Sequence, residues 1–381
     1  MALVFWKPSE RVALNATLKD LFAEINNQDQ QTERWSIKPF FDSEKIHQKK
    51  IVFVSDYSNQ IDSIERYLEH IHLVRTCFEK ALRPKESNLF FSLRDKRSES
   101  KLLSSPGQIL TMLQSSFDCV HIPPPPLPKI SMSATYGMRL SPKEISNSKV
   151  FSTISHSLLQ QPIYWPKIFL EADYIIPINY FHASNTFIIH GILSSFFYCL
   201  PSTSQSMILI QSNIKNRSLL FVEYLRTILS KVPYSVIISG RDPAFVLISN
   251  DSLSADTFSS ALGSIRALSV PLSYYANKQK LGLGDITKIN LIGPKFVRPL
   301  YQLENNSILN KKNSLKCLDA RCILCDQCMN SCPVAAWERH GNRYQWLSSL
   351  CNRCGHCIDI CPANAIQILS KGVVNGTNFS D

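Results

Sequence analysis

Residues 322–333 read Cys-Ile-Leu-Cys-Asp-Gln-Cys-Met-Asn-Ser-Cys-Pro, and residues 351–362 read Cys-Asn-Arg-Cys-Gly-His-Cys-Ile-Asp-Ile-Cys-Pro. Both follow one pattern, three cysteines at three-residue intervals and a fourth four residues on, immediately before proline. Each position of the second copy lies 29 residues after its counterpart, so the stretch is an internal duplication. Nine of the twelve cysteines fall between Cys317 and Cys361, and Cys77, Cys119 and Cys199 are scattered over the rest. A disulfide scaffold spreads its cysteines over the fold of a secreted chain, so clustering without a secretory signal argues for metal.

Three cysteines at such intervals sit on one tight loop and direct their thiolates onto one face of a cubane. The fourth is too remote to complete that site and ligates the cluster of the other copy. The pattern therefore predicts two 4Fe-4S clusters. Cys322, Cys325, Cys328 and Cys361 would hold one, and Cys351, Cys354, Cys357 and Cys332 the other. Structural zinc also uses C-x₂-C pairs, but rarely three cysteines at successive three-residue intervals plus Cys-Pro, twice over. Pro333 and Pro362 have the fixed φ of a first helical turn, so each fourth cysteine is expected to start a helix. Gly355 lets the backbone approach a cubane. Residues 337–346 (WERHGNRYQW) predict a hairpin turning at Gly341-Asn342, and residues 363–369 a helix start and closing strand. The segment 316–370, including the alanines of CPVAA and CPANAI, resembles a two-cluster bacterial-type ferredoxin. The resemblance implies a small α+β domain that handles single electrons.

Several residues near this module have two readings. Cys317 is a spare ligand or a packed thiol. His356 hydrogen-bonds a cluster sulfur or faces solvent. Trp337, Tyr344 and Trp346 pack around the hairpin or serve as electron-hopping sites.

The 381 residues are 44% hydrophobic and 19% charged, which suits a globular chain of two or three domains rather than a disordered one. The N-terminus shows no secretory pattern. The longest apolar stretch, residues 187–200, contains His190 and falls short of the roughly 20 residues of a spanning helix. It reads as a buried core helix, and the chain reads as cytoplasmic without a transmembrane segment. The net charge is +11, and the part from Lys316 onward carries six Lys/Arg against five Asp/Glu, so the body holds nearly all of it. A basic body attracts nucleic acid, anionic lipid or an acidic redox partner, or is simply solvated. No recognition helix or aromatic-basic platform supports nucleic acid. The sequence carries no signal for an oligomeric state.

The body alternates strands and helices. Strands are expected at 50–55 (KIVFVS), 89–93, 119–122, 174–178, 207–211, 235–239, 244–249 and 288–293. Helices are expected at 61–82, 106–116, 219–231 and 255–265, and residues 187–200 as helix or strand–helix. Prolines 123–126 and 128 form a stiff extended spacer. This alternation predicts an α/β body with a largely parallel or mixed sheet. The expected organisation is an N-terminal extension (1–45), the body (46–295), a polar linker (296–315), the cluster module (316–371) and a tail (372–381).

The body has no G-x-G-x-x-G after a strand, no Walker lysine loop, no H-E-x-x-H and no G-x-S-x-G. Residues 170–185 (LEADYIIPINYFHASN), 248–263 (ISNDSLSADTFSSALG) and 276–293 (ANKQKLGLGDITKINLIG) give it a resemblance to the domain-of-unknown-function family numbered 362, often fused to a two-cluster ferredoxin. That resemblance implies catalytic candidates at His182, Asp251 and Asp256. Tyr180-Phe181 stands where a lysine is expected, and apolar residues 188–197 replace a polar segment. Asp173, Asp251 and Asp256 also suit turns and helix N-caps. His182 follows a strand, where α/β sheets place ligands, or is a structural histidine. Gly282 and Gly284 approach a phosphate or form a plain turn.

The expected function is transfer of electrons by two 4Fe-4S clusters between a carrier and the body or a redox partner protein. Two other classes remain: a reductive enzyme with its site near His182 and Asp256, and an assembly, sensing or binding protein with structural clusters.

Overall fold

The computed structural model describes residues 2–9, 17, 49–57, 64–93, 151–154, 163–184, 186–200, 202–209, 214–239, 244–294, 299–300, 313–351 and 355–370. The expected helix at 106–116, the strand at 119–122, the proline run and Cys119 and Cys354 lie outside the described residues. So do most of residues 1–45, most of the polar connection before the module, and the tail.

The body begins with β1 (Leu3–Ser9), β2 (Lys50–Tyr57), α1 (Ile64–Leu82), β3 (Glu86–Leu93), β4 (Phe151–Ile154), β5 (Ile163–Pro166), α2 (Lys167–Glu171) and β6 (Tyr174–Tyr180). It continues through β7 (His182–Ser184), β8 (Ile188–His190), α3 (Ile192–Ser195), α4 (Ser202–Leu209), α5 (Ile214–Arg226) and β9 (Ser235–Ser239). β10 (Ala244–Ser249), α6 (Ser252–Leu262), α7 (Pro271–Lys278) and β11 (Asn290–Ile292) complete it. The main sheet has the order β11-β1-β10-β9-β6-β2-β3. It is mixed: β3, β2, β6 and β9 run parallel, and β10 is antiparallel to both its neighbours. β1, from the segment expected as an extension, is an inner strand between β10 and β11.

Strand alternation divides the apolar side chains between two layers. Val52, Val54, Ile175, Ile237, Phe245 and Leu247 face a large core that includes Trp165, Phe169, Phe196, Phe221 and Phe258. Ile51, Phe53, Ile176, Ile178, Val236, Ile238, Val246 and Ile248 face the other side, where α1 covers them with Tyr67, Ile71, Val74, Phe78 and Leu82. With both faces covered, the strands read as continuous apolar runs.

Two expectations are corrected in the body. The apolar run Met207-Ile208-Leu209 belongs to helix α4, not to a strand. A short apolar run fits either structure, and here it follows a Ser-Thr-Ser helix opening. Residues 187–200 are not one core helix but follow the strand–helix alternative: β8, α3 and a 3₁₀ turn at Phe196–Cys199 follow one another around Gly191.

The module comprises β12 (Asn313–Cys317), α8 (Gln327–Asn330), β13 (Trp337–His340), β14 (Arg343–Trp346), α9 (His356–Ile360) and β15 (Ile366–Ser370). β12 pairs antiparallel with β15, and β13–β14 form the expected hairpin, with Gly341 at φ +60. The fourth cysteines do not start helices. Asp326 and Gly355, both left-handed, open α8 and α9, so each helix is spent before Cys332 or Cys361. Cys-Pro instead enters a turn closed by left-handed Ala335 or Asn364. The duplication is thus visible in the backbone: Asp326 and Gly355, like Ala335 and Asn364, are 29 positions apart.

Candidate cluster module and a buried polar corner

In the module the two loops bring cysteines from different repeats together. Burial pushes the Cys328 thiol up to about 11, and repulsion from Cys322, Cys361 and Cys325 adds to the rise despite a backbone hydrogen bond. Burial also raises Cys332, with a further push from Cys351. Cys361 therefore lies near Cys328 of the first repeat, and Cys332 near Cys351 of the second. Cys357 is buried in α9, and Cys325 is exposed. Crowded thiols that resist ionisation fit a site that a cationic cluster would compensate. Among the described residues, no three His, Cys, Asp or Glu side chains converge on the position of one metal ion. A cubane does not need this, because each thiolate takes a different iron.

The backbone repeats the same device in each half. Ala336 N–H donates to Cys332 Sγ at 3.1 Å, and Ala365 N–H donates to Cys361 Sγ at 3.2 Å. Such donors stabilise thiolate charge and tune the potential of a cluster. Cys317 is buried beside Cys322, and burial followed by its contact with that thiol pushes it up to about 12. It packs against the first group. His356 does not face solvent: it is 2% exposed, and burial lowers it to about 4. Trp337 and Tyr344 are buried in the module core, and the Tyr344 hydroxyl donates to Asp326.

The module rests on the body. Arg266 N–H donates to the Pro333 carbonyl at 2.5 Å, and its guanidinium donates to the Asn330 carbonyl at 3.0 Å. Val334 packs against the large core of the body. The Cys332-Pro333 turn is therefore held from both sides.

The body contains a second polar cluster, at the carboxyl ends of β2 and β6. The chain runs from β2 outward to β3 and then returns to β6 on the other flank of β2, so this is a topological switch point. His190 Nε2 donates to Asp56 Oδ1 at 3.0 Å, and Ser194 Oγ lies 3.3 Å from His190 Nδ1. In the orientation that satisfies its neighbours, Asn179 donates to Asp56 Oδ1 and accepts from Ser195 Oγ, both at 2.8 Å. His182 stacks on His190 with ring centroids 4.5 Å apart, and its Nδ1 bonds the Ala183 carbonyl. Asp256 accepts from the Ile192 and Leu193 N–H groups at 2.6 and 2.9 Å. Burial nonetheless pushes its carboxyl up to about 7. Gly191 is required here, because an added methyl would overlap the Asp256 carboxylate.

His182 and Asp256 thus both touch the corner at 190–193, but Asp251 does not join them. Asp251 is the N-cap of α6, its Oδ1 accepting from Ser254 N–H at 2.6 Å and Leu283 N–H at 3.3 Å. Asp173 likewise accepts from the Lys50 N–H, at 2.8 Å. Gly282 abuts Asp251 and Leu253, and Gly284 abuts Leu268 and Asn277. Asp56, Asn179, His190 and Ser194 escaped the sequence reading. The available signal was a Ser-Asp pair ending a buried strand.

Residues 321–366 match the family described as a 4Fe-4S dicluster domain. The C-terminal part of the chain is therefore a 4Fe-4S cluster-binding domain. No curated protein matches the chain. Among solved structures, the lactate racemase apoprotein of Thermoanaerobacterium thermosaccharolyticum aligns with 9% identity and a TM-score of 0.35, over 62% of this chain and 50% of that one. A structural-genomics target protein from Thermotoga maritima aligns with 11% identity and a TM-score of 0.29, over 59% and 51%. The chain thus spans about half the length of each. No helix among the described residues is long and apolar enough to cross a membrane.

Proposed function

We propose that this chain is a cytoplasmic electron-transfer protein that holds two 4Fe-4S clusters and exchanges electrons with an external carrier, serving its own body or a docked redox partner protein. Cys322, Cys325, Cys328 and Cys361 hold one cluster, and Cys332, Cys351, Cys354 and Cys357 the other. The observation that carries this reading is the duplicated cysteine pattern, supported by the proximity of Cys361 to the first group and of Cys332 to Cys351. Each cubane supplies a one-electron store whose potential depends on burial and N–H donors. The protein's part is to exclude water, hold the thiolates and aim Ala336 and Ala365 at their sulfurs. The likeness of the body to family 362 belongs to the same proposal.

A second reading follows from the docking of Pro333 and Asn330 on Arg266. Here the clusters are a structural clasp in an assembly, sensing or binding protein. Anaerobic purification, iron and sulfide assay and EPR after dithionite separate the two. About eight irons per chain with reducible, interacting cubane signals support electron transfer. Clusters that resist reduction support the clasp, and zinc in place of iron overturns both.

A further inference from the structure

The two Cys-Pro turns of the module share a sequence pattern and an N–H donor to the cysteine sulfur, but they differ in cover. Pro333 is buried, whereas its counterpart Pro362, 29 positions on, is exposed. The buried turn is gripped by the body. Arg266, between α6 and α7, donates its backbone N–H to the Pro333 carbonyl at 2.5 Å and its guanidinium to the Asn330 carbonyl at 3.0 Å. Ser269 Oγ adds a longer bond to the Asn330 carbonyl, at 3.5 Å, and lies 3.3 Å from the same guanidinium. One short body segment thus holds residues on both sides of Cys332. Arg266 lies outside the duplicated segment, so the second copy has no equivalent of it.

Holding a turn does not require a charge. The Asn330 and Pro333 carbonyls are neutral acceptors that an amide or a hydroxyl would satisfy. Arginine adds a cation that no ordinary pH removes. Among the described residues no carboxylate pairs with it: Asp285, which lines the same hollow, bonds Thr287 and lies 3.3 Å from Lys288. The field reaches the sulfur, since burial raises Cys332 and the Arg266 charge works against that rise.

We propose that Arg266 is a positioning residue for electron transfer: held against the Cys332-Pro333 turn, its charge raises the potential of the cluster that Cys332 ligates and biases an electron toward the body. A cubane gains one negative charge on reduction, so a fixed cation beside it favours the reduced form. The step is a one-electron reduction of one cubane by an external low-potential carrier, with no bond made or broken. The inference rests on the two-cluster reading proposed above.

The test uses the full chain, reconstituted anaerobically and assayed for iron and sulfide. Dithionite stands in for the carrier in a potentiometric titration, and EPR follows the reduced clusters. Wild type is expected to give one wave for each cluster. Arg266→Gln keeps a donor and loses the charge. One wave should move to lower potential and the other stay, the reduced-to-oxidised ratio at fixed potential falling about threefold, or about 28 mV for a one-electron couple. Arg266→Lys keeps the charge but loses the planar fork, and should leave both waves near wild type. A purely structural grip gives the reverse order, with Arg266→Gln near wild type and Arg266→Lys displaced. That order overturns the proposal, as does an equal shift of both waves, or of neither, in Arg266→Gln. Where Arg266→Gln loses iron, Arg266→His decides. One of its waves should fall between about pH 5 and about pH 8 by more than in wild type, as the imidazole loses its proton, and a wild-type pH dependence overturns the proposal. Reducible clusters that ignore Arg266 leave the electron-transfer reading standing. Absent iron, or clusters that resist reduction, overturn that reading and the role of Arg266 with it.

Discussion

The seven-stranded sheet of the body is covered on both faces by apolar side chains, whereas the module gathers a small core in which Cys317, Cys328, Cys332 and Cys357 are themselves buried members. Its longest elements are five residues. A unit this small buries too little apolar surface to hold itself and needs a staple, which here is the ligated cluster. The body needs none, because its strands bury continuous apolar runs against α1 on one side and α2, α3, α5 and α6 on the other. The difference teaches that ligation and burial stabilise adjacent parts of one chain, and that each part should fail in its own way.

The largest expected effect comes from breaking the staple. Cys361 belongs to the second repeat by sequence but sits with the cysteines of the first. On the proposed two-cluster ligation, Cys361→Ser is therefore expected to lose iron from both clusters, not one, and to release amide protection across β12–β15. The sheet strands β2, β6 and β9 should keep theirs. Iron and sulfide assays with hydrogen exchange check this. Loss of exactly half the iron would remove the crossed ligation, and loss of protection in the sheet would remove the independence of the two parts.

A smaller effect is expected in the body, from Asp256. Its folded value of about 7 lies above the ordinary 3.8, with burial as the main cause. The folded state thus holds the proton more tightly than the unfolded one. The resulting stability is fully present below pH about 4 and is lost as pH rises to about 7, a change on the order of 4 kcal/mol. Urea midpoints for wild type and Asp256→Asn across that window measure it. The wild-type midpoint should fall relative to that of Asp256→Asn, whose amide does not titrate, as pH rises. If it does not, the Ile192 and Leu193 N–H groups hold the carboxylate ionised throughout.

What was legible in the sequence follows the same division. The cysteine loops were readable because a cubane imposes its spacing on consecutive residues. The strands 50–57, 174–180, 235–239 and 244–249 were readable because buried strands are continuous apolar runs. The helix after Cys-Pro was misplaced, since a left-handed residue, Asp326 in one copy and Gly355 in the other, starts each helix early. The polar corner was the least legible. Asp56, Asn179 and His190 come from distant parts of the chain, and only the return from β3 to β6 brings them together. Asp256 was named as a candidate ligand, but its observed partners are two backbone N–H groups that no spacing rule reveals.

The smallest effect concerns Asp251 and decides between the two readings of that residue. The structure makes it the N-cap of α6, with a second bond to the Leu283 N–H. Asp251→Ala removes the single acceptor of both bonds and should cost about 1 kcal/mol, a figure typical of a lost cap. Asp251→Asn keeps an acceptor at the Oδ1 position and should cost only a small part of that. Thermal unfolding of the body resolves the two, and iron content should be the same in both, because the cap lies in the half held by burial. A ligand role would give the opposite pattern: equal stability in the two variants, and loss of binding or reduction wherever the carboxylate charge is removed. Near-wild-type stability in Asp251→Ala would mean that Leu253 and its apolar neighbours alone fix the start of α6, extending the rule of burial in the body even to its helix ends.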